Sequence, residues 1–262
     1  MRYLRFVNKK GEDVYGIIEG EKVFETDLAP YEENAKKTGD EYLLKDVKIL
    51  PPSDPQEIFC IGTNYMDHIR ETKAKFGTEL PIPSSPIVFS KGRNTIAGHL
   101  DEVIYPTPVE KLGYEGELGV IIGKKCYQVS KEEALDYVAG YTCANDVSAR
   151  DFQFGDGQWT RGKGLDKFCP FGPVVTDEID PFNTKIRTRL NGVTVQDGTT
   201  SDMIFSVPEI ISFITEWITL QPGDLIITGT PDGVGQLKVG DEVEIDIEGI
   251  GVLKNTIVSA EG

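Results

Sequence analysis

The chain has 262 residues, 39% of them hydrophobic, which is enough for one large core with a small accessory module and argues against disorder. With 43 acidic against 27 basic residues the net charge is -16, which repels phosphate backbones and anionic lipid heads, so neither nucleic acid nor a membrane surface is an expected partner. No apolar run is long enough to span a bilayer, and Met1 to Arg5 lacks the apolar core of a signal peptide, so a cytoplasmic location is expected. A small anionic substrate would need a local cation to draw it in.

In chain order, Tyr3 to Val7, Val14 to Ile18 and Val23 to Glu25, separated by turns at Asn8 to Asp13 and Glu19 to Lys22, predict a short antiparallel meander. A polar segment from Tyr31 to Glu41 comes next, then Val47 to Leu50. Pro51-Pro52-Ser53-Asp54-Pro55 can continue neither a ladder nor a helix. The predicted boundary falls there, with a small domain over 1–52 and a larger one over 53–262. Glu57 to Ile61 predicts a strand ending at Gly62, and Met66 to Phe76 a helix. His68 and Glu71, three apart, share a face of that helix and can hydrogen-bond, although an incidental surface pair has the same spacing. Gly77 and the prolines at 81, 83 and 86 leave this helix few fixed connections, so Met66 to Leu80 is expected to be a lid. Pro86 to Ser90 and Val103 to Tyr105 predict two more strands. His99, in the loop between them, has no partner legible in the sequence.

From Tyr114 to Gly123 the chain reads Tyr-Glu-Gly-Glu-Leu-Gly-Val-Ile-Ile-Gly. Leu118, Val120 and Ile122 alternate as in a strand, so Glu115 and Glu117 leave the backbone on one face. Two such acids are tolerated if an Arg or Lys bridges them or if a hard divalent cation lies between them. Asp146 closes the apolar run Tyr137 to Ala144, where the pattern breaks into a loop, and would be a third oxygen donor. Three such donors fit Mg²⁺ or Mn²⁺ with open positions, and the lack of a Cys or second-His cluster argues against zinc. Cys60, Cys126, Cys143 and Cys169 sit singly and read as buried free thiols.

Ser130 to Glu133 is a capping box opening a short helix. Gly155, Gly157, Gly162 and Gly164 predict a mobile or tightly turned loop, in which a lone Lys163 would ordinarily be solvated. Ile186 to Leu190, Asn191-Gly192 and Val193 to Gln196 form a hairpin. Ser206 to Glu209 opens a helix through Trp217, with Ile210, Ile211, Phe213, Ile214 and Trp217 as its buried face. Asp224 to Thr228 predicts an apolar strand, and Val243, Ile245 and Ile247 a half-exposed one. Gly229 to Gly235 lacks the Gly-Lys-Ser/Thr ending of a phosphate loop and reads as a turn.

Six stretches, in order, resemble the fumarylacetoacetate hydrolase family: Gly62-x-Asn64-Tyr65-x-x-His68-x-x-Glu71, Glu115-x-Glu117, Asn145 to Asp151, Gln158 to Asp166, Cys169-Pro170-x-Gly172-Pro173, and Thr228 to Gly235. The resemblance covers about Ile58 to the C-terminus. It implies a mostly β fold with some α, a mixed β-sandwich roll preceded by a small N-terminal α/β domain, assembled as a homodimer. It also implies Mg²⁺ or Mn²⁺ on Glu115, Glu117 and Asp146, a His68–Glu71 catalytic dyad, Lys163 as an oxyanion-stabilising cation, and substrate contacts from Thr230, Gln158 and Arg150. The implied substrate is a small anionic 2-oxo acid. The implied reaction is carbon-carbon hydrolysis of an acylpyruvate or decarboxylation of oxaloacetate, each through an enolate stabilised by the metal. An isomerase or tautomerase of hydroxymuconate-type or oxaloacetate substrates is the alternative, and a non-catalytic acidic binding module is the reading from another class.

Overall fold

The computed structural model describes residues 1–77 and 82–260. Arg2–Val7 (β1), Asp13–Glu19 (β2) and Lys22–Thr26 (β3) form the predicted meander, in which β1 buries Tyr3, Leu4 and Phe6. Lys37–Leu43 (β4) adds a strand inside the polar segment, almost wholly exposed and paired only with β3. Lys48–Leu50 (β5) pairs with β1. Residues 1–52 thus hold five strands and one 3-10 turn at Leu44–Asp46, and no α-helix where an α/β module was expected.

Ile58–Gly62 (β6), the helix Met66–Phe76 (α1), Ile87–Lys91 (β7), Ile96–Ala97 (β8), Glu102–Tyr105 (β9), Leu112–Tyr114 (β10) and Gly116–Ile122 (β11) lead into the larger part. Val138–Asn145 (β12), Ser148–Ala149 (β13), Arg150–Gly155 (α2), Thr160–Lys163 (α3) and Cys169–Thr176 (β14) come next. The chain continues through Lys185–Leu190 (β15), Val193–Thr199 (β16), Val207–Thr215 (α4), Leu225–Ile227 (β17), Gly235–Gln236 (β18), Glu242–Ile247 (β19) and Gly251–Ser259 (β20).

One large sheet runs β4-β3-β2-β1-β14-β12-β11-β17-β6-β7, so the N-terminal meander continues it through antiparallel pairing of β1 with β14. The edge strand β7 leads into β8, which pairs parallel with β14 and so carries the chain back across the sheet. A second sheet, β16-β15-β19-β20-β9, packs against the first. Leu118, Val120 and Ile122 of β11 share one core with Ile245, Ile247 and Leu253 of the second sheet. On the opposite face Ile121 joins Ile58, Cys60, Cys169 and Phe171. Every residue of β11 is buried because the strand is covered on both faces. This is the mostly β architecture that the sequence predicts.

The remaining expectations divide by what packing does to them. The hairpin turns at Asn191 (φ 50°) and Gly192 (φ 79°), two left-handed residues that suit the strand twist. The capping box of Ser206 and Glu209 opens α4, but the helix ends at Thr215. Its buried face is Val207, Ile210, Ile211 and Ile214, at i, i+3, i+4 and i+7. Phe213 and Trp217, four apart, lie off that stripe. Trp217 is 63% exposed and meets Phe213 edge to face at 4.8 Å, so its expected burial is corrected. Ser130 donates to Glu133 at 2.8 Å, yet the pair opens only a 3-10 turn at Ala134–Tyr137. All four cysteines are free and buried. Among the described residues no helix is long and apolar enough to cross a membrane.

Candidate active site

Glu117 lies in β11 and Glu115 one residue before it, on the same face. The intervening Gly116 faces the second sheet, where an added Cβ would stand 2.2 Å from Thr188 Oγ1. Its N–H donates to Gln196 Oε1 at 3.0 Å. Gly116→Ala should therefore destabilise the protein by about 1–3 kcal/mol through overpacking, measured by denaturant titration. Unchanged stability would mean that the second sheet does not press on this strand. Asp146 succeeds β12 and is tied to Glu115 through the backbone, since the Asp146 N–H donates to Glu115 O at 2.9 Å. The Asn145 side chain accepts the Glu115 N–H at 3.0 Å.

The three acids are buried, and one oxygen of each lies within 4.8 Å of the others. Basic side chains balance two of the three acids. Lys163 Nζ stands 2.7 Å from Glu115 Oε2 and 2.7 Å from Asp146 Oδ2. Arg150 donates to Glu115 and to Gln153 Oε1. Lys91 Nζ is 2.7 Å from Asp146 Oδ1. Glu117, by contrast, accepts only the Gly229 N–H among the described residues, at 2.6 Å. Burial works against ionising Glu115, but the charges of Arg150, Lys163 and His68 hold its carboxyl well below the usual range. Burial and then the charges of Asp146 and Glu115 push Glu117 well above it. Burial disfavours the Lys163 ammonium, yet Asp146 and Glu115 raise its pKa above the ordinary lysine value. A buried, all-oxygen donor set with one carboxylate unmatched by a cation among the described residues is what a hard divalent ion satisfies, so the residues fit Mg²⁺ or Mn²⁺.

The stretch expected as a loop after Asp151 is two short helices crossing where Gly162 meets the Gln153 backbone; an added Cβ there would be 2.7 Å from Gln153 N. That crossing buries Lys163, expected to be solvated but for the resemblance, at the end of α3. Lys91 is a site residue that sequence reasoning missed. Its side chain has no exposure; it forms an ion pair with Asp146 and donates to the carbonyl oxygens of Lys163 (2.5 Å), Phe168 (2.8 Å) and Val147 (3.2 Å). The available signal was its place two residues after Phe89 in an apolar strand, on the face that Phe89 presents to the cavity. Trp159 was missed too; its ring packs against Gly62 and edge-on to Phe89 at 5.1 Å, walling the same cavity.

His68 lies in the first turn of α1 and lines that cavity. Its Nδ1 is 3.8 Å from Glu71 Oε2, beyond hydrogen-bond length. Glu71 accepts the Gly233 N–H at 2.9 Å and pairs with Lys75 at 2.5 Å. Burial opposes its ionisation, but the His68 ring, Lys75 and the Gly233 amide lower its pKa to about 2. Lys75 also donates to Val234 O at 2.9 Å, so α1 is fastened to the Gly229–Gly235 loop. Thr78 to Leu80, the last part of the expected lid, lie outside the described residues.

Of the expected substrate contacts, Arg150 and Thr230 line the cavity, whereas Gln158 is exposed and is not part of its lining. The Thr230 hydroxyl donates to Gly116 O and accepts from Gln196 Nε2, each at 2.9 Å, which binds its loop to β11. His99 is remote from the site and accepts the Lys254 N–H at 3.1 Å. The cavity holds about 210 Å³.

Residues 57–258 match the family described as fumarylacetoacetate (FAA) hydrolase C-terminal, and residues 1–52 the one described as Rv2993c-like, N-terminal. Oxaloacetate tautomerase YisK of Bacillus subtilis is 43% identical over 259 residues, covering 92% of this chain and 84% of that protein. The crystal structure of 2-hydroxyhepta-2,4-diene-1,7-dioate isomerase from Mycobacterium marinum matches with a TM-score of 0.91 and 39% identity, over 100% of both chains. Fumarylpyruvate hydrolase from Pseudomonas aeruginosa, in complex with Mn²⁺ and pyruvate, matches with a TM-score of 0.72 and 30% identity, over 81% of this chain and 92% of that one. The motifs, the roll that arranges them and these likenesses agree: the chain belongs to the fumarylacetoacetate hydrolase family of enzymes.

Proposed function

We propose that this protein is a divalent-metal-dependent tautomerase of a small 2-oxo acid, oxaloacetate foremost, with the cation held by Glu115, Glu117 and Asp146. The observation that carries this reading is the buried carboxylate trio opening on a cavity of about 210 Å³. That is smaller than the roughly 300–1,000 Å³ of drug-sized sites and suits an acid of a few carbons. The 43% identity to an oxaloacetate tautomerase supports the substrate and the reaction type. When bound, Mg²⁺ or Mn²⁺ supplies a Lewis acid for negative charge on an oxygen of the substrate.

The rest of the chemistry falls to side chains. His68 takes a proton from the carbon beside the keto group and returns one to the oxygen; its Nδ1 has no hydrogen-bond partner among the described residues. Glu71, anionic at neutral pH, stands behind the ring, its Oε2 3.8 Å from His68 Nδ1. Arg150 and Lys163 add positive charge that draws an anion into an acidic protein. Chelation should abolish enol-oxaloacetate decay catalysed by the protein, followed by ultraviolet absorbance, and Mg²⁺ or Mn²⁺ should restore it. His68→Ala should slow the reaction by about 10²- to 10⁴-fold. A wild-type rate after chelation would sink the proposal.

Carbon-carbon hydrolysis is the second reading. It is favoured by the His68–Glu71 pair beside the cavity and by the likeness to a hydrolase in complex with Mn²⁺ and pyruvate. Acylpyruvates assayed beside oxaloacetate separate the two reactions, and pyruvate release from oxaloacetate reports decarboxylation.

A further inference from the structure

Between β6 and α1 the chain passes through Thr63 with φ +54°, a left-handed conformation that a β-branched residue rarely adopts. Such a conformation costs about 1–3 kcal/mol and persists only where the surroundings over-determine it. They do so here. The Asn64 side chain donates to Phe205 O at 3.0 Å and Thr228 O at 2.8 Å, and accepts the Phe205 N–H at 2.8 Å. The Asn64 backbone carbonyl accepts the Ile204 N–H at 2.8 Å, and Tyr65 bridges to Met203. On the other side Gly62 is pressed against the Trp159 ring. None of these contacts involves the Thr63 side chain. Thr63 is only 8% exposed, lines the cavity with the three carboxylates, and its hydroxyl has no hydrogen-bond partner among the described residues. A buried hydroxyl without a partner carries a desolvation cost that a ligand oxygen would remove.

We propose that Thr63 is a substrate-binding residue, held in a strained conformation so that its hydroxyl donates to an oxygen of the bound 2-oxo acid. The inference rests on the proposed function for the class of ligand, and its location is supported independently. Gly229, which donates to Glu117, lies against Asn64, where an added Cβ would be 2.7 Å from Asn64 Cβ; the strained turn therefore adjoins the carboxylate trio. Glycine at position 63 would remove the strain, and valine would keep the shape without the hydrogen bond, so the two effects can be separated.

The experiment titrates Mn²⁺-loaded protein calorimetrically with oxalate, pyruvate and oxaloacetate, for wild type, Thr63→Val, Thr63→Ser and Thr63→Gly, with melting temperatures recorded alongside. Thr63→Val should weaken binding roughly threefold to tenfold, the worth of one neutral hydrogen bond. Thr63→Ser should stay within about twofold of wild type. Thr63→Gly should bind as weakly as Thr63→Val while melting no lower than wild type, a combination that a structural role does not give. Equal affinities of wild type and Thr63→Val for all three acids, including no binding by either, overturn the proposal, as does a Thr63→Ser variant as weak as Thr63→Val. If wild type turns over no oxaloacetate while Thr63→Val still weakens oxalate binding, the tautomerase reading falls and the Thr63 contact stands.

Discussion

Glu117→Gln is expected to make the metal-free protein more stable while removing its affinity for Mn²⁺. In the folded protein the ionised Glu117 faces Glu115 and Asp146, whereas Lys163, Arg150 and Lys91 are engaged with those two neighbours. Because its folded pKa is raised, this residue favours folding below the ordinary glutamate value of 4.5 and opposes it increasingly as the pH climbs towards the folded pKa. Metal-free wild type should therefore lose stability as the pH rises above 4.5, and the glutamine variant should not. Loss of a partner behind a metal ligand costs about 10- to 100-fold in affinity, so loss of the ligand itself should cost no less. Melting curves across pH and Mn²⁺ calorimetry read the two effects. A variant that binds Mn²⁺ as wild type does would remove Glu117 from the site.

The second large effect is expected at Lys91. Lys91→Met keeps the apolar stem and deletes the ammonium, leaving Asp146 without this ion-pair partner and the carbonyls of Val147, Lys163 and Phe168 without their shared donor. Breaking a buried ion pair from one side costs about 3–5 kcal/mol. Denaturant titration should show a loss of that size, and chelation-sensitive activity should fall with it because Asp146 and Lys163 are no longer held at one spacing. A variant within about 1 kcal/mol of wild type would show that water takes over the role of the ammonium.

How legible these features were in the sequence depends on what fixes each one. Glu115 and Glu117 share a face because of strand geometry alone, so their convergence with the strand-end Asp146 could be expected from spacing. Gly116 was unremarkable until Thr188 and Gln196 of the second sheet stood behind it. Lys163 is buried by the crossing of α2 and α3, a tertiary event that a glycine-rich stretch does not announce. A lysine ending an edge strand, as Lys91 does, usually discourages aggregation, and only the tertiary carbonyls of Val147, Lys163 and Phe168 hold it inside. β4 escaped notice because a strand with almost no buried residue has no alternation to read. Trp217 was placed inside by extending the periodicity one turn past the end of α4.

The position of β17 has a consequence for how the chain must fold. Its three residues lie between β11 and β6, parallel to β6, so neither of those strands completes its pairing until Leu225–Ile227 has been synthesised. Until then two fully buried apolar strands present open edges, the usual template for misassembly between chains. Pairing across so much intervening sequence also lowers the folding rate, because loop-closure entropy is lost before any contact repays it. The insertion of β17 brings Gly229 to Glu117 as well, so the amide hydrogen bond to that carboxylate forms only in that late step.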